Sequence, residues 1–127
     1  MELLVLIPEK EKKKAENFAV EMARLVSDRH FSDVVVLDLC GQNPAVEYLV
    51  IATGTSDRQT RSVAEEVLKE AKQTGFQAFG KAGFEQGRWI LLDFVDVVVH
   101  LFESEFREYY DLELLWGDAK QIQWQES

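Results

Sequence analysis

The chain has 127 residues, 46% of them hydrophobic and 29% charged, with seven glycines and two prolines, which reads as a single domain over 1–127 with little room for disordered linkers. Its 14 Lys and Arg stand against 23 Asp and Glu, a formal net charge of −9; this disfavours broad electrostatic attachment to nucleic acid or an anionic membrane and suits a basic partner. The single cysteine, Cys40, excludes an internal disulfide, no Cys/His spacing resembles a zinc site, no segment approaches the roughly 20 apolar residues of a membrane span, and the expected setting is the cytoplasm.

Met1 to Pro8 is expected as a flexible extension, and its apolar run Leu3 to Ile7 is too short for a signal-peptide core and lacks a cleavage site of small residues. From Glu9 to Arg29, apolar residues recur at Ala15, Phe18, Ala19, Met22, Leu25 and Val26, the stripe of an amphipathic helix that needs a surface to lie on. Asp33 to Leu39 and Val46 to Thr53 read as buried strands, parted by turn chemistry at Cys40-Gly41-Gln42-Asn43-Pro44. Ser56 followed by Gln59 is a capping box that opens a second helix, with the stripe Val63, Ala64, Val67, Leu68 and Ala71 and a stop at Thr74-Gly75. Phe76 to Lys81 is a weak strand, Gly83 to Gly87 a loop, and Arg88 to Phe94 and Asp96 to Phe102 are strong strands. A short helix after Glu103 through Tyr110, an anchor at Leu112, Leu115 and Trp116, and a flexible tail over 120–127 complete the reading. The order α, β, β, α, β, β, β, α predicts an α/β (α+β) fold with a mixed sheet of about five strands and helices packed on one face.

The stretch WILLDFVDVVVHLF, Trp89 to Phe102, is the most apolar in the chain and yet carries Asp93, Asp96 and His100. With Phe94-Val95 as a two-residue turn, Asp93 lies opposite Asp96, Leu91 opposite Val98 and Trp89 opposite His100. Side chains alternate along each strand, so these six share one face, while Ile90, Leu92, Val97, Val99 and Leu101 form an aliphatic seat for the helices on the other. The mixed face has two readings. Either Trp89 packs under a tail helix and the aspartates merely end the strands, or an uncovered sheet surface is offered to another chain or to a second copy of this one.

Enzymatic readings find less support. The Thr53-Gly54-Thr55-Ser56 step before a helix can cradle a phosphate, but it lacks the P-loop lysine and the dinucleotide glycine spacing, and an ordinary N-cap accounts for Ser56. A nucleotidyltransferase needs, besides, two acidic ligands a residue apart on a following strand; Glu65-Glu66 lies inside a helix, and Asp93 and Asp96 flank a turn. Cys40 as a nucleophile, with His30 or His100 as its base, has no sequence geometry behind it.

Several motifs in one order resemble a known family. Asp38-Leu39, Tyr48 to Gln59 (YLVIATGTSDRQ), Gly87 to Asp93 (GRWILLD), Asp96 to His100 (DVVVH), Arg107 to Glu113 (REYYDLE) and Leu115-Trp116 look like the ribosomal silencing factor family, RsfS or Iojap, over about Lys14 to Ala119. The resemblance implies a nucleotidyltransferase-like fold without catalysis, metal or cofactor. It further implies binding to large-subunit ribosomal protein fourteen, occlusion of the small subunit, and translational repression. The family's recognition surface carries over to Trp89, Leu91, Asp93, Asp96, Val98 and His100, with Tyr110, Leu112, Glu113 and Trp116 nearby. A homodimer through the same face is compatible with this, and neither membrane nor sequence-specific nucleic acid is expected. The alternative is a nucleotide-binding or nucleotidyltransferase-type enzyme of related fold. One departure stands out: the family usually has glycine where this chain has Val95, and valine resists the positive φ that glycine allows.

Overall fold

The structure, a computed structural model, describes residues 2–42, 45–105 and 119–125, with side chains from Lys13 onward. Helix α1 (Glu2–Asp28) starts well before the predicted Glu9, so 2–8 is helical rather than a loose extension. Leu and Glu ahead of Pro8 are good helix formers, and a proline this near the start removes one backbone bond without ending the helix. The helix closes in a Schellman motif. His30 takes φ +69, its N–H donates to the Ser27 carbonyl at 3.0 Å, and the Phe31 N–H donates to the Val26 carbonyl at 3.1 Å. Phe31 is thereby turned into the core.

Helix α2 (Asp57–Gln73) ends the same way, with Gly75 at φ +91 and the Phe76 N–H donating to the Ala71 carbonyl at 2.8 Å. Phe76 then stacks on Phe18 of α1 with ring centroids 4.0 Å apart, so both helix stops deliver an aromatic ring to the packing.

Among the described residues six strands form one mixed sheet: β1 (Ser32–Asp38), β2 (Tyr48–Gly54), β3 (Gly80–Ala82), β4 (Trp89–Asp93), β5 (Val97–Glu103) and β6 (Lys120–Gln121), in the order β3-β4-β5-β2-β1-β6. β2 and β5 run parallel, and the remaining neighbours are antiparallel. One face carries Val36, Val50, Ile90, Leu92, Val99 and Leu101, packed against Phe18, Met22 and Val26 of α1 and Val63, Ala64 and Val67 of α2. The aliphatic seat expected for the helices is therefore the floor of the main core.

Two boundaries differ from the sequence reading. The weak strand expected over Phe76 to Lys81 shrinks to β3, because Phe76 serves the α2 stop. The expected loose tail is instead held: β6 pairs with β1, the Ile122 N–H donates to the Val36 carbonyl, and the Trp124 indole donates to the Val34 carbonyl at 3.0 Å. Arg24 in turn donates to the Trp124 carbonyl at 2.7 Å. Ile122 and Trp124, two residues apart, point the same way onto the core, which is what an extended segment needs in order to stick.

Candidate functional site: the outer face of the β4–β5 hairpin

Alternation along the hairpin puts Trp89, Leu91 and Asp93 of β4 on the sheet face away from the helices, together with Val98, His100 and Phe102 of β5. The predicted face holds, but the pairing does not. Trp89 lies opposite Phe102, Leu91 opposite His100 and Asp93 opposite Val98, a slip of two residues from the expected register, and slips of two preserve faces.

The cause is the turn. Residues 94–97 bridge the strands with Phe94 N–H donating to the Val97 carbonyl at 2.9 Å, and Asp96 N–H donating back to the Phe94 carbonyl at 3.1 Å. That second bond encloses Val95 alone, whose φ is +76, which is the form of a γ-turn of the rare, strained hand. Valine thus occupies the conformation expected of glycine. Asp93 supports it, its Oδ1 accepting from the Val95 N–H at 2.8 Å. Asp96 is not the cross-strand partner of Asp93; it sits in the turn, where its carbonyl accepts from Glu47 and Tyr48 N–H and joins the hairpin to β2.

The face is not uniformly open, as the recognition reading expected. Val98 and His100 are buried and Phe102 is fully so, while Trp89, Leu91, Asp93 and Asp96 are half-buried and Val95 is 53% exposed. Beneath the surface lies a second apolar layer of Leu37, Leu49, Ile51, Val98 and Phe102, on which Trp89 and Leu91 pack. The Trp89 ring stacks on Phe102 at 5.0 Å between centroids, and its indole N–H donates to His100 Nδ1 at 3.0 Å. A nitrogen that accepts carries no proton, so His100 is the neutral tautomer protonated at Nε2. Burial pushes its pKa down to about 4, which keeps it neutral at physiological pH.

Phe102 was missed by the sequence reading, although its parity with His100 was there to be used. Tyr110, Leu112, Glu113 and Trp116, and the helix expected through Tyr110, lie outside the described residues. The Cys40 nucleophile finds no partner in His100: Cys40 packs on the helix side of the sheet and His100 occupies the other side. No group of three or more His, Cys, Asp or Glu that could hold a metal ion comes together among the described residues. At the start of α2 the polar groups are occupied internally. Ser56 Oγ accepts from Gln59 N–H at 3.1 Å, Gln59 Oε1 accepts from Thr55 N–H at 2.7 Å, and a Cβ added at Gly54 would stand 3.0 Å from both Gln59 Oε1 and the Phe31 ring. Helix capping and packing on Phe31 thus account for Ser56, Gln59 and Gly54 without a phosphate.

Residues 12–127 match the family model described as "Ribosomal silencing factor during starvation". The chain belongs to the ribosomal silencing factor family. The ribosomal silencing factor RsfS of Bacillus subtilis is 40% identical over 97 residues, covering 76% of this chain and 82% of that protein. That of Halalkalibacterium halodurans is 39% identical over 98 residues, covering 77% and 84%. A crystal structure of protein CV0518 from Chromobacterium violaceum superposes with a TM-score of 0.74 at 31% identity, covering 91% of this chain and 92% of that one. Both relatives carry the name of a regulatory factor, a ribosomal silencing factor. No helix among the described residues of this family member is long and apolar enough to cross a membrane.

Proposed function

We propose that the chain is a non-enzymatic translational repressor of the cytoplasm that binds the large ribosomal subunit through ribosomal protein fourteen and blocks docking of the small subunit by occupying its seat. The observation that carries this reading is the outer hairpin face: an indole and a leucine, Trp89 and Leu91, set on a second apolar layer and edged by Asp93 and Asp96. An aromatic anchor with a charged rim is how protein contacts are commonly built. The net charge of −9 complements a basic ribosomal protein.

Within this face the roles divide. Trp89, Leu91, Asp93 and Asp96 are the groups that touch the partner, with Tyr110, Leu112, Glu113 and Trp116 extending the contact. His100, being buried, acts by fixing the Trp89 ring, and Val98, also buried, belongs to the apolar layer beneath.

Sucrose-gradient profiling tests the reading. Added protein travels with large subunits and lowers the yield of full ribosomes, and Trp89→Ala and Leu91→Arg lose both effects while circular dichroism shows a folded chain. Undiminished cosedimentation of both folded variants would overturn it.

A further inference from the structure

A cleft of about 530 Å³ opens between α2 and the β3 edge of the sheet, on the opposite side from the Trp89 face. Its floor is apolar, from Leu68 and Ala78, and its rim carries Lys69 and Lys72 of α2 and Lys81 of β3. Lys81 lies opposite Leu92, a core residue, and so faces the helix side; its ammonium stands 5.6 Å over the Phe84 ring, which holds it in place. Phe79, which also lines the cleft, is 81% exposed, the most of any large apolar side chain among the described residues.

The charge here runs against the rest of the chain. Glu65 is the one acid lining the cleft, and the nearby Glu66 is engaged by Arg29 at 2.7 Å. Among the described residues no ion pair engages Lys69, Lys72 or Lys81. At physiological salt the Debye length is about 8 Å, so the remote acids that make the molecule anionic are largely screened and the local lysines decide. A lysine on an edge strand also discourages strand pairing, but that need would be met by Lys81 alone.

Three ammonium groups without an ion-pair partner among the described residues, around an exposed flat ring, suit one chemistry: a nucleobase with its flanking phosphates. We propose that this cleft binds single-stranded RNA, one base stacking on Phe79 while Lys69, Lys72 and Lys81 hold the adjoining phosphates. An acidic peptide would use the lysines but would have little use for the bare ring. In a factor docked by its opposite sheet face, a reading this inference does not depend on, such a site stays open to an RNA strand.

Fluorescence anisotropy with a labelled hexa-adenylate RNA at about 50 mM salt tests this. The full chain binds saturably, and log K falls with log salt at a slope of about −2, the value for three phosphate contacts on a single strand. Phe79→Ala weakens binding about 5- to 150-fold, the range of one base stack, and the combined change of Lys69, Lys72 and Lys81 to Gln abolishes it and flattens the slope. Each substitution is at the surface, and melting curves confirm the fold. AMP binds far more weakly, and a duplex of equal length does not stack. No binding by about 1 mM RNA, affinity unmoved in both variants, or equal affinity for AMP or duplex would each overturn the proposal. Because the probe is an isolated oligonucleotide, failure here leaves the docking of the hairpin face untouched, and Trp89→Ala is expected to bind the RNA normally.

Discussion

Trp89 and His100, on adjacent strands but not directly opposite, are joined by an indole N–H donated to imidazole Nδ1 at 3.0 Å. The bond requires a neutral imidazole, and burial enforces one by bringing the His100 pKa down to about 4. Unfolded histidine titrates near 6.5, so between those values the unfolded chain takes up a proton that the folded chain refuses, and stability falls as pH drops. The loss is absent above pH 7 and reaches about 2 kcal/mol at pH 5. Urea denaturation across pH 5 to 7.5 measures it. His100→Gln, which keeps an acceptor and cannot titrate, is expected to show a flatter pH profile; an unchanged slope would remove His100 as the cause.

Replacing Trp89 with Phe retains a ring over Phe102 but leaves His100 Nδ1 without its donor. A buried polar atom stripped of its partner costs about 1–3 kcal/mol. Denaturation midpoints are expected to fall by that amount for Trp89→Phe and further for Trp89→Ala, which also loses the stack. A Trp89→Phe protein as stable as the parent would show the bond to be incidental.

Val95 spends its φ of +76 in a region that penalises β-branched residues. It is 53% exposed, so little burial is at stake. Val95→Gly is therefore predicted to stabilise the chain by about 1 kcal/mol, read as a higher urea midpoint at equal m-value. A lower midpoint would mean that the valine side chain contributes packing that its exposure does not suggest.

The α2 capping box gives a further check. Ser56→Ala removes the acceptor of Gln59 N–H, and Gln59→Ala removes the acceptor of Thr55 N–H together with a donor to the Arg29 carbonyl at 3.0 Å. Each is expected to cost about 1 kcal/mol, and Gln59→Ala should also loosen the end of α1, seen as faster amide exchange at His30 and Phe31.

The parts of this fold that could be read from the residues are those governed by local periodicity. Val63, Ala64, Val67 and Ala71 are the buried stripe of α2, as their spacing implied, and parity alone separated Leu92 and Leu101 from Leu91 and His100. What escaped was decided at a distance or by a single torsion. Nothing local announces that β2 pairs in parallel with β5, or that Lys120 and Gln121 reach back to Asp38 and Leu37. The hairpin register was misread because Phe94-Val95 looked like a two-residue turn, whereas the Val95 torsion builds a longer one. On the candidate site, the residue types were visible but their exposure was not: only tertiary packing buries Val98 and His100 and leaves Phe79 bare.

The central ladder pairs Tyr48 with Val97 and Gly54 with Glu103, so the sheet is closed across the whole of α2, β3 and β4. Closing so long a loop carries an entropy that local contacts do not offset. The hairpin of β4 and β5 and both helices can form early, but β1 and β2 have no completed sheet to join until β5 exists. On a translating ribosome β1 and β2 can pair with each other, but the far edge of β2 must wait, open, until residues near Glu103 emerge, and the sheet is completed only once β5 has been made.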